Sequence, residues 1–413
     1  MSSGAHWGPV ARPIHAYLLL LCGCMSVLAA VVIAPILPKM QAHFADIERV
    51  EFLVPLALTT PGLVIALLSL FVGVIADKFG RKRLLVGGLA FYALFGCAPL
   101  LIDSLHAIIA TRIGVGFTEA IIMTCCTALI GDYYRGLQRE RYLALNTTFA
   151  STSAVIFIAV GGALGEFGWR VPFGVYSISL LLALAALMLL WEPRRHVDQA
   201  AMSHTVEAED DESWNPMRLL GICLVTLVGG VLFMAVQVHV AYLLADVGVE
   251  SSATVGLIAS AAQVAVVVGS LLFRLILRAG YMTSMRLGVA LLLIGCGYLL
   301  IGVSDHSTGV IVGALINGLG AGILLPTLLC WNMKHLPDQR RALGTGAWMA
   351  AFFLGQFLTP LVVVGLSERA GGFSAAFQSM GYVVVPMALL LVLVRPLFRP
   401  RKCLNDPLLN EHP

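Results

Sequence analysis

The chain has 413 residues, of which 59% are apolar and only 12% charged. A water-soluble domain carries about a quarter charged residues to cover its surface, so the composition excludes a soluble enzyme or binding module. The net charge of +3 is too small to mark a nucleic-acid partner, and its distribution matters more than its sum.

A membrane-crossing helix takes about 20 residues at about 1.5 Å rise each. Apolar runs between charge and proline breaks predict spans one to six at 15–37, 52–75, 84–102, 106–130, 142–164 and 171–191. Spans seven to twelve follow at 219–243, 252–277, 287–303, 307–331, 343–366 and 374–394. The first run is longer than the apolar core of a signal peptide and is read as a retained span. Between the two sets, 192–218 is a polar linker holding Glu207, Glu209, Asp210, Asp211 and Glu212, too acidic to bury a core. The expected organisation is a bundle at 1–191, the linker at 192–218, a second bundle at 219–394 and a tail at 395–413.

With both termini in the cytoplasm, Lys39, Arg49, Arg170 and Arg369 fall outside and Arg112 falls within span four. The rest of the 26 lysines and arginines lie on the cytoplasmic side. That bias sets the orientation, because basic loops resist translocation. Eight of the nine cysteines lie in apolar runs, where they pack as small apolar groups, and no disulfide framework is expected. No His, Cys or carboxylate cluster has metal-ligand spacing. No nucleophile–base pair or phosphate loop points to an enzyme. Neither metal nor cofactor is expected.

The two sets of spans echo one another. Gly114-x-Gly116 in span four answers Gly318-x-Gly320 in span ten, and Arg141-Tyr142-Leu143-Ala144 answers Arg341-Ala342-Leu343-Gly344. Asp103 with His106, and Asp305 with His306, mark matching short outer turns. Such parallel repeats are a recurrent plan of secondary transporters.

Between spans two and three lies Gly73-Val74-Ile75-Ala76-Asp77-Lys78-Phe79-Gly80-Arg81-Lys82-Arg83. The pattern G-x-x-x-D-[RK]-x-G-R-[KR] resembles the signature loop of the major facilitator superfamily of secondary transporters. A fainter copy at Arg278-Ala279-Gly280 has Leu277 in place of the aspartate. Trp169-Arg170-Val171-Pro172-Phe173 resembles the W-R-x-x-F turn before span six, and Pro35 with Pro38 fits the P-x-x-P exit from span one. The resemblance implies two pseudo-symmetric six-helix bundles rocking about a midplane site. It also implies a gate: Gly73 and Gly80 shape the loop, Asp77 meets the N-terminus of span eleven, and Arg81 bridges to Asp132 at the end of span four. Generic headgroup anchoring is the plainer reading of the same charges.

Apart from charges at the span ends, only Arg112 and Glu119 are charged deep in the membrane, and both lie in span four. A charge at mid-bilayer costs several kcal/mol, so such residues face a cavity or partner and have a role. Seven residues span about two turns, which puts both on one face about 10 Å apart, with Gly116 between them. Arg112-x-x-x-Gly116 resembles the span-four motif of proton-coupled members, and Glu119-Ala120 beyond it resembles bacterial spinster-type lipid transporters. Glu119 is the expected proton site and Arg112 its modulator; a static brace is the alternative. Span one offers Met25 and Ser26 rather than an acid, which leaves about one proton per cycle. Drug exporters often carry G-P-x-x-G-G in span five; Gly161-Gly162 is present, but Phe157-Ile158 takes the Gly-Pro place.

If spans one, four, seven and ten line the cavity, Met25, Ser26, Gly116, Met123, Gln237, Gln263, Asn317 and Gln356 are the expected lining. Each polar member could equally be an interhelical hydrogen bond. His239, near an outer helix end, is expected to be solvated at the interface. The lining is mostly apolar and disfavours sugars. The expectation is a monomeric, multi-pass inner-membrane exporter of amphipathic or hydrophobic small molecules, driven by proton antiport. Proton-coupled uptake of an organic anion held by Arg112 is the alternative, and a non-transporting sensor or scaffold is the alternative of another class.

Overall fold

The computed structural model of the protein describes residues 11–69, 71–193, 216–278, 282–334, 336 and 341–393. Within them twelve helices are long and apolar enough to cross a membrane. Spans one to six are Pro13–His43, Val50–Leu68, Arg81–Leu100, Leu105–Tyr133, Gly136–Gly165 and Val171–Leu189. Spans seven to twelve are Pro216–Asp246, Ser252–Leu277, Thr283–Gly302, Ser307–Lys334, Leu343–Ala370 and Phe373–Leu393. In hydrocarbon no water is present to satisfy backbone polar groups, so each apolar run closes into a helix that satisfies its own.

The helices gather into two bundles of six. Leu19, Leu28, Leu89, Ile122 and Phe173 are buried at the centre of the first; Ala235, Ile294, Leu324 and Phe377 are buried at the centre of the second. Spans six and twelve present Leu181, Met188, Val383 and Leu390 outward. Such an apolar rim would be unfavourable in water and is suited to lipid.

The signature residues mark one end of the bundles, the signature face; the opposite end is the far face. Spans five and eight join the bundles in their far-face halves. A Cβ on Gly162 would lie 2.5 Å from the Ser252 carbonyl oxygen, and one on Gly256 2.8 Å from Gly162 Cα, so any side chain there would separate the helices. Spans two and eleven join at mid-membrane, where Gly62 meets Phe353, and nearer the signature face, where Ser69 Oγ donates to the Gly346 carbonyl at 3.3 Å.

Several expected boundaries shift. Span one is helical over Pro13–Val31, tightens into a 3-10 turn at Ala34–Ile36 and resumes over Leu37–His43. Pro35 and Pro38 supply no backbone N–H, which explains the interruption. Span two ends at Leu68 rather than 75, and a separate helix covers Val72–Phe79. Apolar character runs on through this turn, so hydropathy gives no sign of it. Gly73 through Phe79 are therefore helical rather than loop. Span five starts at Gly136 and span seven at Pro216, because polar first turns extend both. Most of the linker, the tail from 395, and Ala279-Gly280 of the fainter signature copy lie outside the described residues.

Candidate transport site and gate

Span four begins at a capped end, where Ser104 Oγ accepts from the Ala107 N–H at 3.4 Å. Two turns on, Arg112 is 1% exposed. Its Nη1 donates to Tyr176 Oη at 3.1 Å, and its Nη2 donates to the carbonyls of Phe95 and Gly96 at 3.1 and 3.3 Å. The last carbonyls of a helix have no intrahelical partner. The Arg81–Cys97 helix of span three ends here, so the guanidinium supplies partners its own backbone cannot. The same group sits 5.2 Å from the ring centroids of both Phe173 and Tyr176. Arg112 thus points into the first bundle, between spans three and six, and not into a cavity between bundles. Its charge is met by aromatic faces and helix-end carbonyls.

Glu119 is 3% exposed, and among the described residues its Oε2 has no hydrogen-bond partner. No bond joins it to Arg112, whose hydrogen bonds are those above. The two are within electrostatic reach, as are the Tyr92 and Tyr176 hydroxyls. Tyr92 Oη donates to the Met25 carbonyl at 2.6 Å, tying span three to span one beside this cluster. An unpaired polar atom in such a place costs about 1–3 kcal/mol, more when charged. A proton, or a donor brought by a ligand, would remove that cost.

The expected lining divides. Gln237 Nε2 donates to Gln263 Oε1 at 3.0 Å, so spans seven and eight bring these two together. Gln356 lies at the crossing of spans two and eleven, opposite Gly62. Ser26 Oγ donates to the Gly23 carbonyl within its own helix at 2.7 Å, and Met123 is half-buried. Met25 belongs to the first core. Gly116 is a packing residue: a Cβ there would lie 2.7 Å from Pro61 Cα of span two. Asn317 packs on Gly297 of span nine, inside the second bundle. His239 is fully buried rather than solvated, among Tyr242, Phe373 and Phe377, with Nδ1 3.0 Å from the Ala235 carbonyl.

At the signature face, Arg81 Nη1 donates to both carboxylate oxygens of Asp132 at 2.6 Å. Its Nε and Nη2 donate to Asp77 Oδ1 at 3.1 and 2.7 Å. Asp77 is 61% exposed and, among the described residues, bonds only Arg81 rather than span eleven. Gly73 has open space where a side chain would be. Gly80 does not: its φ is +93°, and a Cβ there would meet the Glu192 carboxylate at 3.0 Å. By sequence Glu192 is the first residue of the expected linker. Its oxygens instead accept from the backbone N–H groups of Arg81, Lys82 and Arg83 at 2.6, 3.1 and 3.4 Å, capping span three. A lone acid just beyond span six, ahead of Arg194-Arg195, was the available signal. Lys82 Nζ completes the junction by donating to the Leu187 carbonyl at 2.9 Å, and Tyr133 stacks on Trp191 at 4.1 Å.

Losing an N-cap costs about 0.5–2 kcal/mol. Glu192→Ala should therefore lower the thermal unfolding midpoint of the purified protein by about 1–2 °C. Glu192→Gln, which keeps an acceptor oxygen, should recover much of the loss.

The sequence model of the Major Facilitator Superfamily matches residues 19–245 and again 218–407. The chain belongs to the Major Facilitator Superfamily. Among curated relatives, Multidrug resistance protein 1 of Bacillus subtilis (strain 168) is 32% identical over 125 residues, 29% of this chain and 31% of that protein. The match thus spans about a third of that relative's length. The 3-(3-hydroxy-phenyl)propionate transporter of Escherichia coli (strain K12) is 24% identical over 347 residues, 78% of this chain and 80% of its own. Among solved structures, a bacterial homologue of the human lysosomal transporter Spinster, inward-facing and occupied, superposes with a TM-score of 0.71 at 15% identity. That superposition covers 94% of this chain and 96% of the other. A POT family transporter in complex with 5-aminolevulinic acid reaches 0.75 at 14% identity, covering 94% and 97%. The solved structures share the fold, and the superfamily to which the chain belongs is one of transporters rather than enzymes.

Proposed function

We propose that this superfamily member exports amphipathic or hydrophobic small molecules in exchange for protons, with the signature face in the cytoplasm of a bacterial-type inner membrane. The observation that carries the reading is Glu119: a carboxylate buried in span four with an oxygen that no group among the described residues satisfies. Proton loading offsets the cost of that oxygen, and a rocking motion that changes water access returns the proton. Arg112 acts as a fixed positive neighbour held by spans three and six. The resemblance of about a third of the chain to multidrug resistance proteins supports export. The basic bias of the signature face supports placing that face in the cytoplasm.

Uptake of an organic anion is the second reading, favoured by the propionate-derivative transporter of E. coli that matches most of the chain. It requires a cation for the carboxylate. Arg112 fills that part poorly, since its hydrogen bonds already go to Tyr176, Phe95 and Gly96.

Everted membrane vesicles with an acid interior separate the two. Export predicts that they accumulate a lipophilic cationic dye only when the protein is present. Accumulation of 3-hydroxyphenylpropionate by right-side-out cells in acid medium, with no dye movement, would establish the uptake reading instead.

A further inference from the structure

A second acid, Glu166, sits where span five ends on the far face, apart from Glu119 and the signature-face charges. A carboxylate directly after a helix C-terminus opposes that helix's own dipole, so its presence needs an external partner. It has three. Its Oε1 accepts from the Ala253 N–H at 2.8 Å and from Ser251 Oγ at 2.9 Å, at the start of span eight in the other bundle. Its Oε2 is 3.8 Å from Lys39 Nζ, and the same ammonium donates to the Gly165 carbonyl at 3.0 Å. Lys39, from the end of span one, is the charged side chain that faces Glu166; the contacts from span eight are a hydroxyl and a backbone N–H. Directly beneath lie the Gly162–Gly256 contact and the bond from Ser260 Oγ to the Val155 carbonyl at 3.1 Å.

We infer that Glu166 is a latch that holds the far face shut by capping the N-terminus of span eight from the opposite bundle, with Lys39 fixing its position. The arrangement uses the same physics as the signature-face gate expected for Asp77 and span eleven: an acid of the first bundle set on a helix N-terminus of the second. In this conformation the far-face contact is made while Asp77 is engaged by Arg81. Opening the far face must break the Glu166 contacts, because span eight belongs to the bundle that moves away. The inference concerns conformation and does not depend on which solute or ion the protein moves.

The N–H of Ala253, the Ser251 hydroxyl and the Lys39 ammonium hold the Glu166 carboxyl below its ordinary range. By linkage, the latch then favours the closed far face at any pH above the ordinary carboxylate value, about 4.3. That preference fades as far-face pH falls through the lowered value.

The test is a double electron–electron resonance distance between far-face labels at Leu101→Cys and Val303→Cys, both exposed positions, in a cysteine-depleted background. Glu166→Gln should raise the ratio of far-open to far-closed molecules about two- to fivefold, the range expected for a charge at a helix terminus. Glu48→Gln, an exposed acid on the same face, should leave the distribution unchanged. Lowering the pH to about 4 should move the wild type toward the far-open distance by more than it moves Glu166→Gln. A Glu166→Gln distribution superimposed on the wild type, or an acid response as large as the wild type's, would overturn the inference. These distances are read without transport, so they stand apart from the outcome of the vesicle assay.

Discussion

Glu119→Gln is expected to abolish proton-driven accumulation while sparing gradient-free exchange. The amide is nearly isosteric with the carboxyl, so the packing around span four is retained. It can donate and accept hydrogen bonds as a protonated carboxyl does, but it cannot release a proton. One proton per cycle limits a one-unit pH gradient to about tenfold accumulation, since one unit corresponds to about 1.4 kcal/mol. Reconstituted wild-type protein should approach that ratio, and the variant should equilibrate its substrate at a ratio of about one. Counterflow of labelled against unlabelled substrate should continue in the variant. If the variant still concentrates substrate, proton coupling resides elsewhere; if exchange also stops, Glu119 is needed for binding or movement rather than for coupling.

Arg112 carries the second large expectation. Removing it strands the Tyr176 hydroxyl, the Phe95 and Gly96 carbonyls and two aromatic faces inside the first bundle. Loss of one partner from a buried charged network costs about 3–5 kcal/mol, which for a chain of this size lowers the unfolding midpoint by about 3–6 °C. Arg112→Leu should show the full effect. Arg112→Lys keeps the charge near Glu119 but has no planar fork to reach both carbonyls and the hydroxyl. It should lose part of the stability and retain driven transport in the protein that remains folded. A lysine variant with a wild-type midpoint and no transport would instead put Arg112 in the substrate pathway.

The twelve spans and their grouping were legible because bilayer thickness demands apolar runs of a set length, and duplication repeats their landmarks. The break between Leu68 and Val72 was not, since apolar character runs through it and only backbone geometry marks the turn. The burial of Arg112 and Glu119 followed from their position in span four. Their directions did not, because span four is buried among neighbours along much of its circumference and gives no facing signal. Met25, Gly116 and Asn317 were expected in the lining for the same reason, and packing within a bundle claims them. Glu192 and Glu166 escaped notice because each lies just past a helix end, where an acid looks like a solvated loop residue. Their partners are helix N-termini more than 80 residues distant in sequence.

The most direct measurement is substrate-dependent proton movement in proteoliposomes of the purified protein carrying a pH-sensitive dye inside. Adding an amphipathic substrate under an imposed pH gradient should dissipate that gradient in wild-type vesicles and leave it intact with Glu119→Gln. A gradient that substrate leaves unchanged in wild-type vesicles, across cationic dyes and aromatic acids alike, would contradict proton-coupled transport by this protein.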